Sequence, residues 1–230
     1  MRGIAFIGGE GPGPAECRRL VEEGAVPISG DEGGGVLMAA ADSGLMAAEA
    51  AGLRPDWIVG DMDSLDDPRR LEAYPPGRVL RYQRDKDYTD TELALRLLWE
   101  QGCTETWLIG GGGGRTDHLF ALRSLFEREP CPVRWITAAE DIFCLREGAV
   151  LDVSLTREGP RPPPCFISVF PLGSGPWEAQ SRGLRWPLSG LRWDRGFFGI
   201  SNEAAGESLS IRSVRGKFLV LGLRHVKNEP

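Results

Sequence analysis

The chain has 230 residues, 41% of them hydrophobic and 26% charged, the balance of a globular protein with one large domain or two modest ones. A net charge of −6 speaks against nucleic acid or an anionic membrane surface as the main partner, and leaves room for an anionic ligand wherever a bound cation inverts the local field. Five scattered cysteines (Cys17, Cys103, Cys131, Cys144 and Cys165) form no Cys-x-x-Cys pair, the N-terminus lacks the pattern of a signal peptide, and no apolar run reaches the roughly 20 residues of a bilayer span, which together predict a cytoplasmic protein with reduced thiols.

Along the first 138 residues, short apolar runs alternate with longer amphipathic ones. Strands are expected at IAFIG (4–8), VLMAA (36–40), WIV (57–59), RVLRY (78–82), TWLIG (106–110) and VRWIT (133–137). Residues 9–35 follow no pattern that can be placed. Asp66 and Asp67 before Pro68 read as a helix start. Residues 89–101 read as a helix: Leu93, Leu97 and Leu98 form a stripe, Thr89-x-x-Glu92 is a capping box, and Gly102 is the stop. Leu119, Leu122 and Phe126 repeat at helical spacing over 116–128. Strands this apolar, alternating with helices, imply a parallel sheet covered on both faces. From 139 to 230 the helical period fades, and FISVF (166–170), LSIRSV (209–214) and FLVLGL (218–223) alternate with turns such as RPPPC and PLGSGPW. The expected fold is therefore α/β: a three-layer parallel-sheet domain over 1–138, then a smaller all-β, sandwich-like domain over 139–230.

Open parallel sheets bind ligands beyond the carboxyl ends of their strands. VLMAA leads into Asp42, WIV into Asp61-Met62-Asp63, RVLRY into Lys86-Asp87-Tyr88-Thr89-Asp90, and TWLIG into a glycine run ending in Arg115-Thr116-Asp117-His118. Taken singly, Asp42 reads as a turn residue, and Asp90 or Asp117 as a first-turn acid facing a helix dipole. Taken together, six aspartates at successive strand ends point to a metal site. Asp61 and Asp63, one residue apart in extended backbone, would share a side and need a cation between them. Carboxylates without histidine or cysteine beside them suit magnesium or manganese, and magnesium shares its shell with substrate phosphates. In GGGGGRTDH, glycine amides and a helix N-terminus can approach an anion and Arg115 can clamp it. No strict phosphate-loop or dinucleotide signature is present. Lys86 pairs with Asp87 or touches phosphate, and His118 either orients a neighbour or acts as a base.

In this order, the segments AADSGLMAAEAAGLRPDWIVGDMDSL, KDYTDTELAL and GGGGGRTDHLFALRSL, followed by FPLG, GLRWPL and GISNEA, resemble the thiamine pyrophosphokinase (thiamine diphosphokinase) family. The resemblance implies an ATP- and magnesium-binding α/β domain, a β-rich thiamine-binding domain, a homodimer, and transfer of the pyrophosphoryl group of ATP to thiamine. Carried over by position, it implies metal ligands Asp61, Asp63 and Asp87, catalytic roles for these three and Asp90, and nucleotide contacts from Asp42, Lys86, Thr89, Arg115, Asp117 and His118. Ser201 and Asn202 fall on the motif near thiamine, and Asp87 or Asp90 is the expected proton acceptor. Phe218, Trp177, Trp186 and Trp193 are the aromatic candidates for stacking on thiamine. Two other readings are weighed: a D-x-D transferase using another nucleotide, and a non-catalytic thiamine- or nucleotide-binding protein on the same scaffold.

Overall fold

Apolar runs too short for helices pair side by side in a computed structural model that describes residues 1–25, 35–154, 166–206 and 208–223. The RPPPC turn with Cys165, and residues 26–34 of the unplaced stretch, lie outside the described residues. The chain divides into two units, Met1–Ala138 and Ala139–Pro230.

In the first unit the elements run β1 (Arg2–Phe6), α1 (Pro14–Gly24), β2 (Val36–Ala41), α2 (Gly44–Ala50), β3 (Trp57–Gly60), β4 (Val79–Arg81), α3 (Asp90–Glu100), β5 (Glu105–Ile109), α4 (Thr116–Leu125) and β6 (Arg134–Ile136). All strand pairs are parallel, in the order β6-β5-β1-β2-β3-β4. The chain steps outward from β1 to β4, then returns to β1's other side to lay down β5 and β6. That reversal creates a crevice between the loops after β1 and β5, the place where such sheets bind ligands.

The strands are buried on both faces, as their apolar runs require: Ile4, Ala5, Phe6, Ala39, Ala40, Ile58, Val59 and Leu108 are fully inaccessible. The first strand lies two residues earlier than its apolar run suggests, because Ile7 and Gly8 already belong to the turn. Helix α3 carries the expected capping box: Thr89 Oγ1 accepts from the Glu92 amide at 3.2 Å, and Glu92 Oε2 accepts from the Thr89 amide at 2.9 Å. Its buried set is Ala94, Leu95, Leu97 and Leu98, so Leu95 replaces the partly exposed Leu93 in the expected stripe. Asp67 caps a 3₁₀ turn over Pro68–Ala73 rather than an α-helix. The unplaced stretch contains α1, opened by Gly13-Pro14 and buried through Cys17, Leu20 and Gly24.

The second unit consists of two antiparallel sheets. One has the order β11 (Gly199–Glu203), β9 (Phe166–Leu172), β13 (Lys217–Leu223), β7 (Glu140–Leu145); the other has β10 (Glu178–Arg182), β12 (Ser208–Arg215), β8 (Val150–Ser154). Ile167, Val169, Phe218 and Val220 of the first sheet share one core with Ala179, Leu209 and Ile211 of the second, which is the sandwich arrangement. Trp193 closes this core edge-on to Phe218, with ring centroids 5.1 Å apart.

Candidate active site

A cleft of about 630 Å³ opens at the carboxyl ends of β1, β2 and β5. Its floor is a crossing of two glycine-rich loops. The Gly111 amide donates to Gly8 O at 2.9 Å, and Glu10 and Gly112 exchange backbone bonds at 2.7 and 2.9 Å. The approach demands glycine. A Cβ on Gly110 would lie 2.2 Å from Ile7 O, at a φ of +112° that side chains rarely adopt. The glycine run is therefore mainly a packed crossing and not the open anion loop that its composition suggests. The amides of Gly110, Gly111 and Gly112 are spent on backbone acceptors, and those of Gly113 and Gly114 have no acceptor among the described residues. Helix α4 begins immediately afterwards; the His118 amide donates to Arg115 O and Asp117 Oδ1, while the amides of Thr116 and Asp117 have no acceptor among the described residues and lie with the positive dipole end at this edge of the cleft.

Beside that floor stand three acids from three elements. Asp42 follows β2, Asp61 follows β3, and Asp90 is the first residue of α3. One carboxylate oxygen from each lies within 4.8 Å of the others. Asp42 Oδ1 is buried and has no hydrogen-bond partner among the described residues. Gly60 makes room for the group: a Cβ there would sit 3.1 Å from Asp90 Oδ1 and 3.3 Å from the Asp42 Cβ. Lys86 Nζ donates to Asp90 Oδ1 at 2.8 Å and lies 4.0 Å from Asp61 Oδ2. Burial raises the pKa of Asp90, and the charges of Asp61 and Asp42 add to the rise against the lowering effect of Lys86.

The other expected acids are not in this group. Gly60 at φ +148° and Met62 at φ +65° take the chain out of extended backbone, so Asp61 and Asp63 do not project together. Asp61 turns inward, whereas exposed Asp63 accepts from Ser64 Oγ at 3.0 Å and lies 3.9 Å from Arg84 Nε. Asp87 is exposed. Exposed Asp117 takes two bonds from Arg115, at 3.1 and 2.5 Å, which hold its carboxyl below the usual range. Where the family pattern implies Asp61, Asp63 and Asp87 as the ion's ligands, the geometry gathers Asp42, Asp61 and Asp90. Thr89 lines the cleft with its hydroxyl occupied by the cap, and His118 lines it as an exposed first-turn residue of α4. Sequence reading passed over Gly8, Gly9 and Glu10, whose signal was a glycine pair directly after a strand. It also passed over Arg128, which reaches the cleft from beyond α4 and pairs with Glu92, a juxtaposition with no sequence signal.

In the second unit Asn202 is buried, and its amide clasps one backbone position. Nδ2 donates to Trp186 O at 2.6 Å, and Oδ1 accepts from the Trp186 amide at 3.1 Å. Ser201 is exposed, with φ at +53° and its amide donating to Ser168 Oγ at 3.1 Å. Of the aromatic candidates, Phe218 and Trp193 are buried in the core, and partly buried Trp177 is tied to Leu172 O at 2.8 Å. Trp186 is the exposed one, at 51%, alongside Phe197, Phe198 and Ile200. Among the described residues, the non-glycine residues at positive φ are Asp42 and Met62, both in the first motif segment, and Ser201 in the last. Strain collected at such places accompanies function more often than stability.

Comparison with known proteins gives matches of one kind. Residues 34–131, which hold all six aspartates, match the family model for the thiamin pyrophosphokinase catalytic domain. A curated relative, the thiamine pyrophosphokinase of Bacillus subtilis (strain 168), is 29% identical over 168 residues, covering 70% of this chain and 75% of the relative. Two solved structures share the fold over both units. The thiamin pyrophosphokinase of Geobacillus thermodenitrificans has a TM-score of 0.69 at 23% identity, covering 99% of each chain. That of Candida albicans has a TM-score of 0.68 at 17% identity, covering 96% of this chain and 89% of the other. Motif order, strand order and these matches lead to one conclusion: residues 34–131 match the thiamin pyrophosphokinase catalytic domain, and the chain is similar to thiamin pyrophosphokinases in sequence and in fold.

Proposed function

We propose that the chain transfers the pyrophosphoryl group of ATP to the hydroxyl of thiamine, giving thiamine diphosphate and AMP, with a magnesium ion held by Asp42, Asp61 and Asp90. The observation that carries this reading is the acid trio beside the switch-point cleft. Three carboxylates without nitrogen or sulfur donors suit a hard divalent cation. The buried Asp42 Oδ1, unpartnered among the described residues, and the space left by Gly60 fit one as well. Bound there, magnesium would neutralise charge on the phosphate oxygens during transfer.

The chain's own groups supply the rest. Gly113, Gly114 and the start of α4 present amides to the triphosphate, and Arg115 exchanges Asp117 for a phosphate oxygen. Thr89 fixes the start of α3, and through it Asp90. Asp90 is committed to the trio and to Lys86, so Asp87 is the carboxylate that takes the alcohol proton, a modest task in a loose transition state. In the second unit, Asn202 locks the backbone of Trp186 so that its exposed ring can stack on thiamine, and Ser201 offers its hydroxyl beside it. Exposed Phe197, Phe198 and Ile200 support a homodimer in which a second copy covers them. Among the described residues no helix is long and apolar enough to cross a membrane, and the described cysteines are buried; a cytoplasmic location is part of the proposal.

A D-x-D transferase reading is weakened by the divergence of Asp61 and Asp63. The non-catalytic reading is tested by incubating the chain with ATP and magnesium, with and without thiamine. AMP and thiamine diphosphate forming in equal amounts, only with thiamine, is the expected result; tight binding without AMP, or ADP as product, would overturn the proposal. Asn202→Ala is expected to raise the KM for thiamine about tenfold or more while leaving that for ATP unchanged, at a stability cost of about 1 kcal/mol from the two part-buried backbone bonds it removes. A larger effect on ATP would detach this segment from thiamine.

A further inference from the structure

We infer that Lys86 is a built-in counter-cation of the acid trio: its ammonium holds the position that a divalent ion must take, and it leaves for the triphosphate when metal and nucleotide arrive together. This rests on the metal reading above and adds a positioning residue to it. Lys86 Nζ is bonded to Asp90 Oδ1 at 2.8 Å and lies 4.0 Å from Asp61 Oδ2. The lysine side chain is only 14% exposed and that of Asp61 only 16%, so the pair is not a solvent-screened surface bridge.

Three carboxylates drawn within 4.8 Å repel one another unless a positive charge stands among them. Lysine suits a temporary post. Its charge is a compact point on a flexible four-carbon stem, so it can move without the fixed fork of an arginine. It also precedes Asp90 by one helical turn, outside α3, where the chain has no helical bonds to break. A metal alone must displace the ammonium and leave it without a partner. A metal that brings a triphosphate gives the ammonium a new anion, so ion and nucleotide bind cooperatively.

The test titrates manganese, with and without α,β-methylene-ATP, into the full chain and follows free ion by electron paramagnetic resonance. Manganese alone is expected to bind Lys86→Met and Lys86→Gln about tenfold tighter or more than the unaltered chain, with Lys86→Arg close to the unaltered chain. The tightening of manganese by the nucleotide analogue is expected to shrink in the Met and Gln variants. The Gln variant, which keeps a polar end, carries the test if the Met variant does not fold. Unchanged or weaker manganese binding in both variants, with Asp61→Asn still abolishing it, would overturn the role of Lys86 and leave the metal site standing. Equal tightening in Lys86→Arg would also overturn it, since charge would then be irrelevant. Absence of manganese binding in every protein would overturn both the inference and the metal reading.

Discussion

Asp61→Asn is expected to lower thiamine-dependent AMP release by about a thousandfold while the protein stays folded. The substitution preserves size, and the amide oxygen can still accept the Asp63 amide, now 3.2 Å from Asp61 Oδ1. What disappears is one negative charge in a group whose purpose is to hold a cation against a polyanionic substrate. The matched control is Asp63→Asn. Asp63 is exposed, turned toward Ser64 and Arg84, and outside the trio, so the expected loss is about tenfold or less. Steady-state kcat measured over a magnesium series separates the two. Equal damage from both substitutions would return the ion to the Asp61–Asp63 pair and contradict the trio.

Gly60→Ala is the second large effect, and it removes no chemical group. Gly60 sits at φ +148°, and an added methyl would stand 3.1 Å from Asp90 Oδ1 and 3.3 Å from the Asp42 Cβ. The backbone strain costs about 1–3 kcal/mol, read as a lower melting temperature. The methyl also wedges apart two of the three acids, and displacement of catalytic groups by about 1 Å costs about a hundredfold in rate. The expected variant is folded, slower by that factor, and needs more magnesium to reach its maximum. A folded Gly60→Ala protein with normal kcat and normal magnesium requirement would show that the space between these acids is not used.

Some of this was legible in the sequence because local rules decide it. Thr89 and Glu92 lie at capping-box spacing, and the box is formed. The runs at 36–40, 57–59 and 106–110 are too apolar to be anything but doubly covered strands, and they are. That acids gather at strand ends followed from the parallel sheet, yet which acids gather did not. Alternation along a strand assumes extended backbone, and the positive φ of Met62 breaks it just where Asp61 and Asp63 seemed paired. Asp90 enters the trio through the packing of α3, a three-dimensional fact with no spacing rule. β10, whose sequence EAQSR buries Ala179 alone, and β11, which is polar and irregular, carried too little apolar signal to be seen. Asn202 was placed near thiamine by the family resemblance alone, with no spacing rule to say what its amide would touch. In the structure the amide bonds the backbone of Trp186, sixteen residues away.

The most direct test is where a divalent ion sits. Crystals grown with manganese and α,β-methylene-ATP, examined by anomalous scattering at the manganese edge, are expected to show a peak coordinated by carboxylate oxygens of Asp42, Asp61 and Asp90, with the triphosphate against Gly113, Gly114 and the start of α4. A peak on Asp63 or Asp87, with Asp42 Oδ1 still bare, would contradict the assignment of the metal centre.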